Sequence, residues 1–104
     1  MVVSGGMNVY PEELEAVLRD LPEVAAAAVV GVPDDRYGEA LFAVIVPRPG
    51  TALTEEEVVA HCRGRIGGYK IPRRMAFVDE LPKNPTGKVE RGRLRTLAAG
   101  RDAR

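Results

Sequence analysis

The chain has 104 residues, with fifteen basic side chains balanced by fifteen acidic ones, one histidine and one cysteine. That length allows one domain with a modest core, and zero net charge argues against nucleic acid or an anionic membrane as the main partner, because both select a basic excess. A single cysteine excludes an internal disulfide and a cysteine-based zinc site and fits a reducing, cytoplasmic setting, and no run of about 18 apolar residues is present to span a membrane.

Met1 to Val3 reads as a short strand, Ser4-Gly5-Gly6 as a turn, and Met7 to Tyr10 as its return, a small hairpin with a glycine-rich tip. The chain opens directly in this apolar run, with no basic lead and no signal-peptide core, as a segment of a longer protein would. Pro11 starts a helix at the position proline tolerates, and Glu12, Glu13 and Glu15 crowd its positive end. Leu14, Val17, Leu18 and Leu21 recur at helical spacing as its inner face, and Pro22 stops it.

Val24 to Val32 is a run of small and β-branched residues. Four alanines from Ala25 to Ala28 favour helix by propensity, but Pro22 and Gly31-Val32-Pro33 bracket the run so tightly that a strand is expected. Asp34 to Gly38 reads as a polar loop. Ala40 to Val46 is apolar throughout, the mark of a central strand covered on both faces.

After a turn at Pro47 to Gly50, Thr54-Glu55-Glu56-Glu57 is a capping box opening a second helix. Its inner stripe is Val58, Val59, Cys62 and Ile66, and Gly67-Gly68 is expected to end it. Met75 to Val78 is a third short strand region, and a last helix is expected from about Val89 to Ala99, with Leu94 and Leu97 inward and Gly100 to Arg104 frayed. The order predicts an α+β domain: a small, mostly antiparallel sheet with an N-terminal hairpin and about three helices packed on it.

Few residues here carry chemistry. His61, the only histidine, phases to the exposed side of its helix, and Cys62 reads as a core filler; no metal constellation exists. Arg91, Arg93 and Arg95 read as a solvated helix face. The informative stretch is Pro82-Lys83-Asn84-Pro85-Thr86-Gly87-Lys88. Two prolines set its backbone and one glycine releases it, which holds a cation at a defined point on a loop free to swing. Lysine is a compact point charge with three donors, suited to a phosphate or carboxylate oxygen. Ser4-Gly5-Gly6 lacks the spacing of a phosphate loop, but lets a ligand chain lie close to backbone.

Taken together, these blocks resemble a known family. Ser4 to Pro11 with Glu13, Glu15 and Leu18, Val30-Gly31-Val32-Pro33-Asp34 with Gly38-Glu39, Tyr69-Lys70-Ile71-Pro72, and Pro82 to Lys88 are similar, in that order, to the C-terminal motifs of AMP-forming acyl-CoA synthetases. Those enzymes share the adenylate-forming superfamily with peptide-synthetase adenylation domains and luciferases. The resemblance implies that residues 1–99 are the mobile C-terminal domain and that a large N-terminal domain, carrying the ATP and acyl sites, is its partner. It implies ATP and CoA as substrates, with Mg2+ accompanying ATP and bound by the N-terminal domain. It gives Lys88 the catalytic role in adenylation and makes the corresponding lysine a site of regulatory acetylation. Ser4, Gly5, Gly6 and Met7 would line the pantetheine path after the domain rotates, with Tyr69 and Lys70 near the same interface. The acid, fatty or aryl, would be chosen by the N-terminal domain. Two other readings stand beside this one: a peptide-synthetase adenylation domain, which Tyr-Lys-Ile-Pro and the Pro-Thr-Gly-Lys form fit less well, and a free-standing module that binds or regulates a partner protein.

Overall fold

The computed structural model describes residues 2–4, 7–34, 38–66, 71–72 and 74–102, with side chains described within 10–33, 39–66, 71–72 and 74–98. The elements are β1 (Val2–Ser4), β2 (Met7–Val9), α1 (Pro11–Arg19), β3 (Val24–Asp34), β4 (Gly38–Pro47), α2 (Glu55–Cys62), β5 (Arg74–Phe77) and α3 (Arg91–Asp102). The strands form one sheet in the order β2-β1-β4-β3, with β5 also pairing β4. Among the described residues, the pairings between these strands are antiparallel except β4 with β5. Parallel neighbours need a crossover, and α2 supplies it. The sheet is therefore mixed, with the antiparallel majority expected from the sequence.

The long apolar strand is central, as its composition predicts. Residues 40–45 are all buried, and their side chains alternate between two cores. Leu41, Ala43 and Ile45 join Leu14, Leu18, Val58, Cys62 and Met75 on the face covered by α1 and α2. Phe42 and Val44 join Val30, Val32, Leu81, Leu94 and Ala98 on the face covered by α3. The alanine run is a strand, paired to β4 from Ala26 to Ala28 after an irregularity at Val24. Tertiary pairing decides against local propensity here, because a buried edge beside β4 satisfies the backbone of these residues on one side.

Local signals set the helix starts. Pro11 opens α1 after an uncapped Tyr10, and Glu12 and Glu13 occupy its first turn. The Thr54 capping box is complete: its hydroxyl accepts from the Glu57 amide at 3.2 Å, and the Glu57 carboxylate accepts from the Thr54 amide at 3.1 Å. Thr54→Ala is expected to lower stability by about 1 kcal/mol, the usual value of such a cap, with Thr54→Ser within a few tenths of wild type. Equal urea midpoints for Thr54→Ala and wild type would remove the cap from the account of α2.

Helix ends depart from expectation. α2 stops at Cys62, where Arg63 is extended and Gly64 turns the chain at φ +83°. The effective stop is this earlier glycine, and Gly67-Gly68 lie outside the described residues. α3 begins at Arg91 and runs to Asp102, three residues beyond the expected end. Leu94 is inward as expected, but Leu97 is 38% exposed and Ala98 takes the inner place. A residue four positions on lies closer to the Leu94 direction than one three positions on, and the small Ala98 lets the helix sit close to the sheet. β3 and β4 extend to Asp34 and back from Gly38, which shortens the expected polar loop at both ends.

Candidate functional site

The segment after β5 is built as a closed hairpin. The Val78 amide donates to the Ile45 carbonyl at 2.9 Å, and buried Leu81 fastens the segment to the α3-side core. The Glu90 amide donates to the Pro82 carbonyl at 2.9 Å, Lys83 bridges Val89, and the Asn84 amide donates to the Lys88 carbonyl at 2.8 Å. At the tip the Gly87 amide donates to the Asn84 carbonyl at 2.9 Å. Gly87 has φ +88°, a conformation costly for any residue with a Cβ. A turn closed by a glycine in this conformation is a common three-residue hairpin loop, and proline at its first loop position is favoured.

Lys88 follows that glycine directly. Its side chain is exposed, and its ammonium has no partner among the described residues. A cation anchored in backbone and free at its tip is available to an anion brought from outside. Swinging of the loop by itself would break these ladder bonds.

The glycine-rich hairpin sits elsewhere. Ser4 pairs Met7 across it and also pairs Gly38 at the beginning of β4. The lysine loop leaves the sheet beside Ile45, seven residues further along β4, a separation of about 23 Å at the rise of a strand. Arg91 and Arg95 then reach the carbonyls of Val29 and Gly31, so α3 runs back along β3 from the loop. The two candidate segments therefore attach at opposite ends of the central strand. Ser4 and Met7 have described backbone only, and Gly5, Gly6, Tyr69 and Lys70 lie outside the described residues.

Four polar residues differ from their sequence reading. His61 is half-buried, with Nε2 2.7 Å from the Val17 carbonyl oxygen; that nitrogen must carry the proton, since a carbonyl only accepts. Arg91 and Arg95 are not merely solvated. Arg91 donates to the Val29 carbonyl at 2.7 Å and to Glu15 at 3.2 Å, and Arg95 donates to the Gly31 carbonyl at 3.2 Å. Glu15, read as helix-start charge, is buried and accepts from the Val29 amide at 2.8 Å. Cys62 is a buried core residue as expected; burial pushes its thiol pKa up, and nearby Arg65 offsets only part of this, so it stays a thiol and a poor nucleophile. Among the described residues, no cluster of three or more histidine, cysteine or carboxylate side chains is placed to hold a metal, and no helix is long and apolar enough to cross a membrane.

Known proteins share both sequence and shape with this chain. The family described as AMP-binding enzyme C-terminal domain matches residues 13–88. A (methyl-dioxo-octahydroindenyl)propanoyl:CoA ligase from Rhodococcus jostii is 52% identical over 95 residues, 91% of this chain and 18% of the relative. Indoleacetate–CoA ligase from Aromatoleum aromaticum is 44% identical over 99 residues, 95% of this chain and 19% of its own length. Among solved structures, ATP-bound MatB from Rhodopseudomonas palustris superposes with a TM-score of 0.90 at 38% identity, covering 93% of this chain and 19% of that one. The chain thus spans about a fifth of the length of the curated relatives it matches.

Proposed function

The chain belongs to the AMP-binding enzyme C-terminal domain family, and on that premise we propose that it is the moving domain of an AMP-forming acyl-CoA ligase, inactive alone. The observation that carries this reading is the attachment of the lysine loop and the glycine hairpin at opposite ends of β4. Segments attached about 23 Å apart along a strand are better suited to serving one reaction centre in two orientations than in one. They can serve it in turn if the domain rotates on an N-terminal partner domain that holds ATP and the acid.

In the first half-reaction the acid carboxylate attacks the α-phosphorus of ATP, forming the acyl–phosphate bond and expelling pyrophosphate. Lys88 presents its charge between the two anions, offsets their repulsion, and stabilises the charge that grows on the phosphate oxygens. Mg2+ would accompany ATP on the partner domain. In the second half-reaction the CoA thiol, losing its proton, attacks the acyl carbonyl and expels AMP. The Ser4 to Met7 stretch would then border the pantetheine arm, with Tyr69 and Lys70 close by, and the glycines give that arm room. Relatives are named for an octahydroindenyl propanoyl group, for indoleacetate and for medium- and long-chain fatty acids, and a carboxylic acid of the fatty or aryl kind is the substrate class proposed here. Acetylation of Lys88 would remove its charge and silence the first half-reaction alone.

The test uses a full-length ligase with this chain as its C-terminal domain. Gly6→Trp is expected to slow thioester formation from supplied acyl-adenylate by about tenfold or more, the scale of a blocked approach, while pyrophosphate release continues. Unimpaired thioester formation would refute the pantetheine path along this hairpin.

A further inference from the structure

We infer that Asn84 is a positioning residue for Lys88, fixing the lysine backbone through its side-chain oxygen. The inference rests on the adenylation reading of Lys88 given above. Asn84 Oδ1 accepts three bonds at once: from the Thr86 amide at 3.0 Å, from the Thr86 hydroxyl at 2.6 Å and from the Lys88 amide at 3.0 Å. Two of the donors are backbone N–H groups, so the side-chain atom facing them is the oxygen and the orientation of the amide is settled.

The same residue holds the other side of Lys88. Its amide donates to the Lys88 carbonyl at 2.8 Å. Both backbone polar groups of Lys88 therefore end on Asn84, one on its side chain and one on its main chain. Asn84 is half-buried where Lys88 is exposed, and the hairpin neck below it is tied to the core by Leu81. The Asn84 side chain thus joins the backbone ladder in tying the exposed cation to the packed neck.

Lysine itself brings a long flexible stem. Its ammonium reaches a reproducible point only if its Cα does not move as well. Removing Oδ1 releases three donors at an exposed tip, where water replaces the lost acceptor. Stability should change little, while the placement of the ammonium should suffer. Asp at the same position keeps all three bonds, since every partner donates. Thr86→Val deletes one donor of three and should have a smaller effect.

The experiment compares Asn84→Ala, Asn84→Asp, Lys88→Ala and the Asn84→Ala/Lys88→Ala double variant in the full-length ligase. Asn84→Ala is expected to lower kcat for adenylation by roughly 30- to 100-fold, the scale of a mispositioned catalytic group. The KM for ATP should stay within about threefold, thioester formation from supplied acyl-adenylate within about twofold, and Asn84→Asp should recover most of the adenylation rate. The double variant should be no slower than Lys88→Ala, the non-additivity of two residues acting through one group. Wild-type adenylation in Asn84→Ala, equal loss of both half-reactions, or no recovery in Asn84→Asp would each overturn the assignment. Should Lys88→Ala itself adenylate normally, the reading of Lys88 falls, and the role of Asn84 falls with it.

Discussion

Lys88→Ala is expected to reduce acyl-adenylate formation in the full-length ligase by roughly 300-fold, while thioester formation from supplied acyl-adenylate stays within about twofold of wild type; this is the scale of removing one preorganised charge from a transition state. The asymmetry follows from geometry. Lys88 stands on a closed hairpin that leaves the sheet beside Ile45, and the glycine hairpin joins β4 at Gly38. On the proposed reading, an orientation that presents one of them withdraws the other. A lysine used only in the first orientation is absent from the second half-reaction, and its removal cannot slow that step directly. Lys88→Arg keeps the charge but spreads it over a planar fork; it should recover only part of the rate. The measurement is single-turnover pyrophosphate release beside acyl transfer from synthetic acyl-adenylate. Equal loss in both assays would mean that Lys88 holds the domain together or serves a shared orientation, and the alternation argument would fail with it.

How far the chain could be read in advance depended on the range of each interaction. The Thr54 capping box spans four consecutive residues and its partners are visible in the string. The strand identity of Ala25 to Ala28 followed from the turn residues on either side, and the burial of β4 from an unbroken apolar run. The lysine loop announced itself because the glycine, the prolines and the cation stand side by side. Its resemblance to the synthetase motifs supplied the role proposed for it.

Other features depend on partners remote in sequence. Arg91 meets Glu15 across 76 residues and His61 meets Val17 across 44, and no local spacing encodes either pair. Leu97 against Ala98 is a question of helix phase, set by which side of α3 the sheet accepts. The early end of α2 turned on Gly64, an isolated glycine with less conspicuous spelling than the Gly67-Gly68 pair. Asn84 stood inside the quoted motif, yet nothing in the string shows three donors converging on one oxygen. A polar residue two positions before a turn threonine and four before a lysine is the signal that could have found it.

Glu15→Ala is expected to destabilise the 104-residue chain by about 2–3 kcal/mol, the consequence of orphaning a buried donor and breaking a partly buried ion pair. β3 is the outer strand beside β4, with no strand on its other side among the described residues. Its Val29 amide and carbonyl and its Gly31 carbonyl turn outward and would be open to a foreign strand. Instead, Glu15 from α1 takes the amide, while Arg91 and Arg95 from α3 take the two carbonyls. The clasp thus joins helices on opposite faces of the sheet across its edge. Arg91 is 42% exposed on its side chain and Glu15 only 9%, so solvent screens the arginine far more than the carboxylate, and the Arg91 part of the interaction is discounted accordingly. Most of the loss should come from the Val29 amide, which keeps no acceptor once the carboxylate is gone. Glu15→Gln retains an acceptor oxygen and loses the charge, and should lie near 1 kcal/mol, the value of a weakened but surviving hydrogen bond. Urea unfolding of the three proteins decides the matter. A Glu15→Ala midpoint equal to wild type, or one equal to Glu15→Gln, would mean that water reaches the Val29 amide and that this strand edge is protected by something other than the carboxylate.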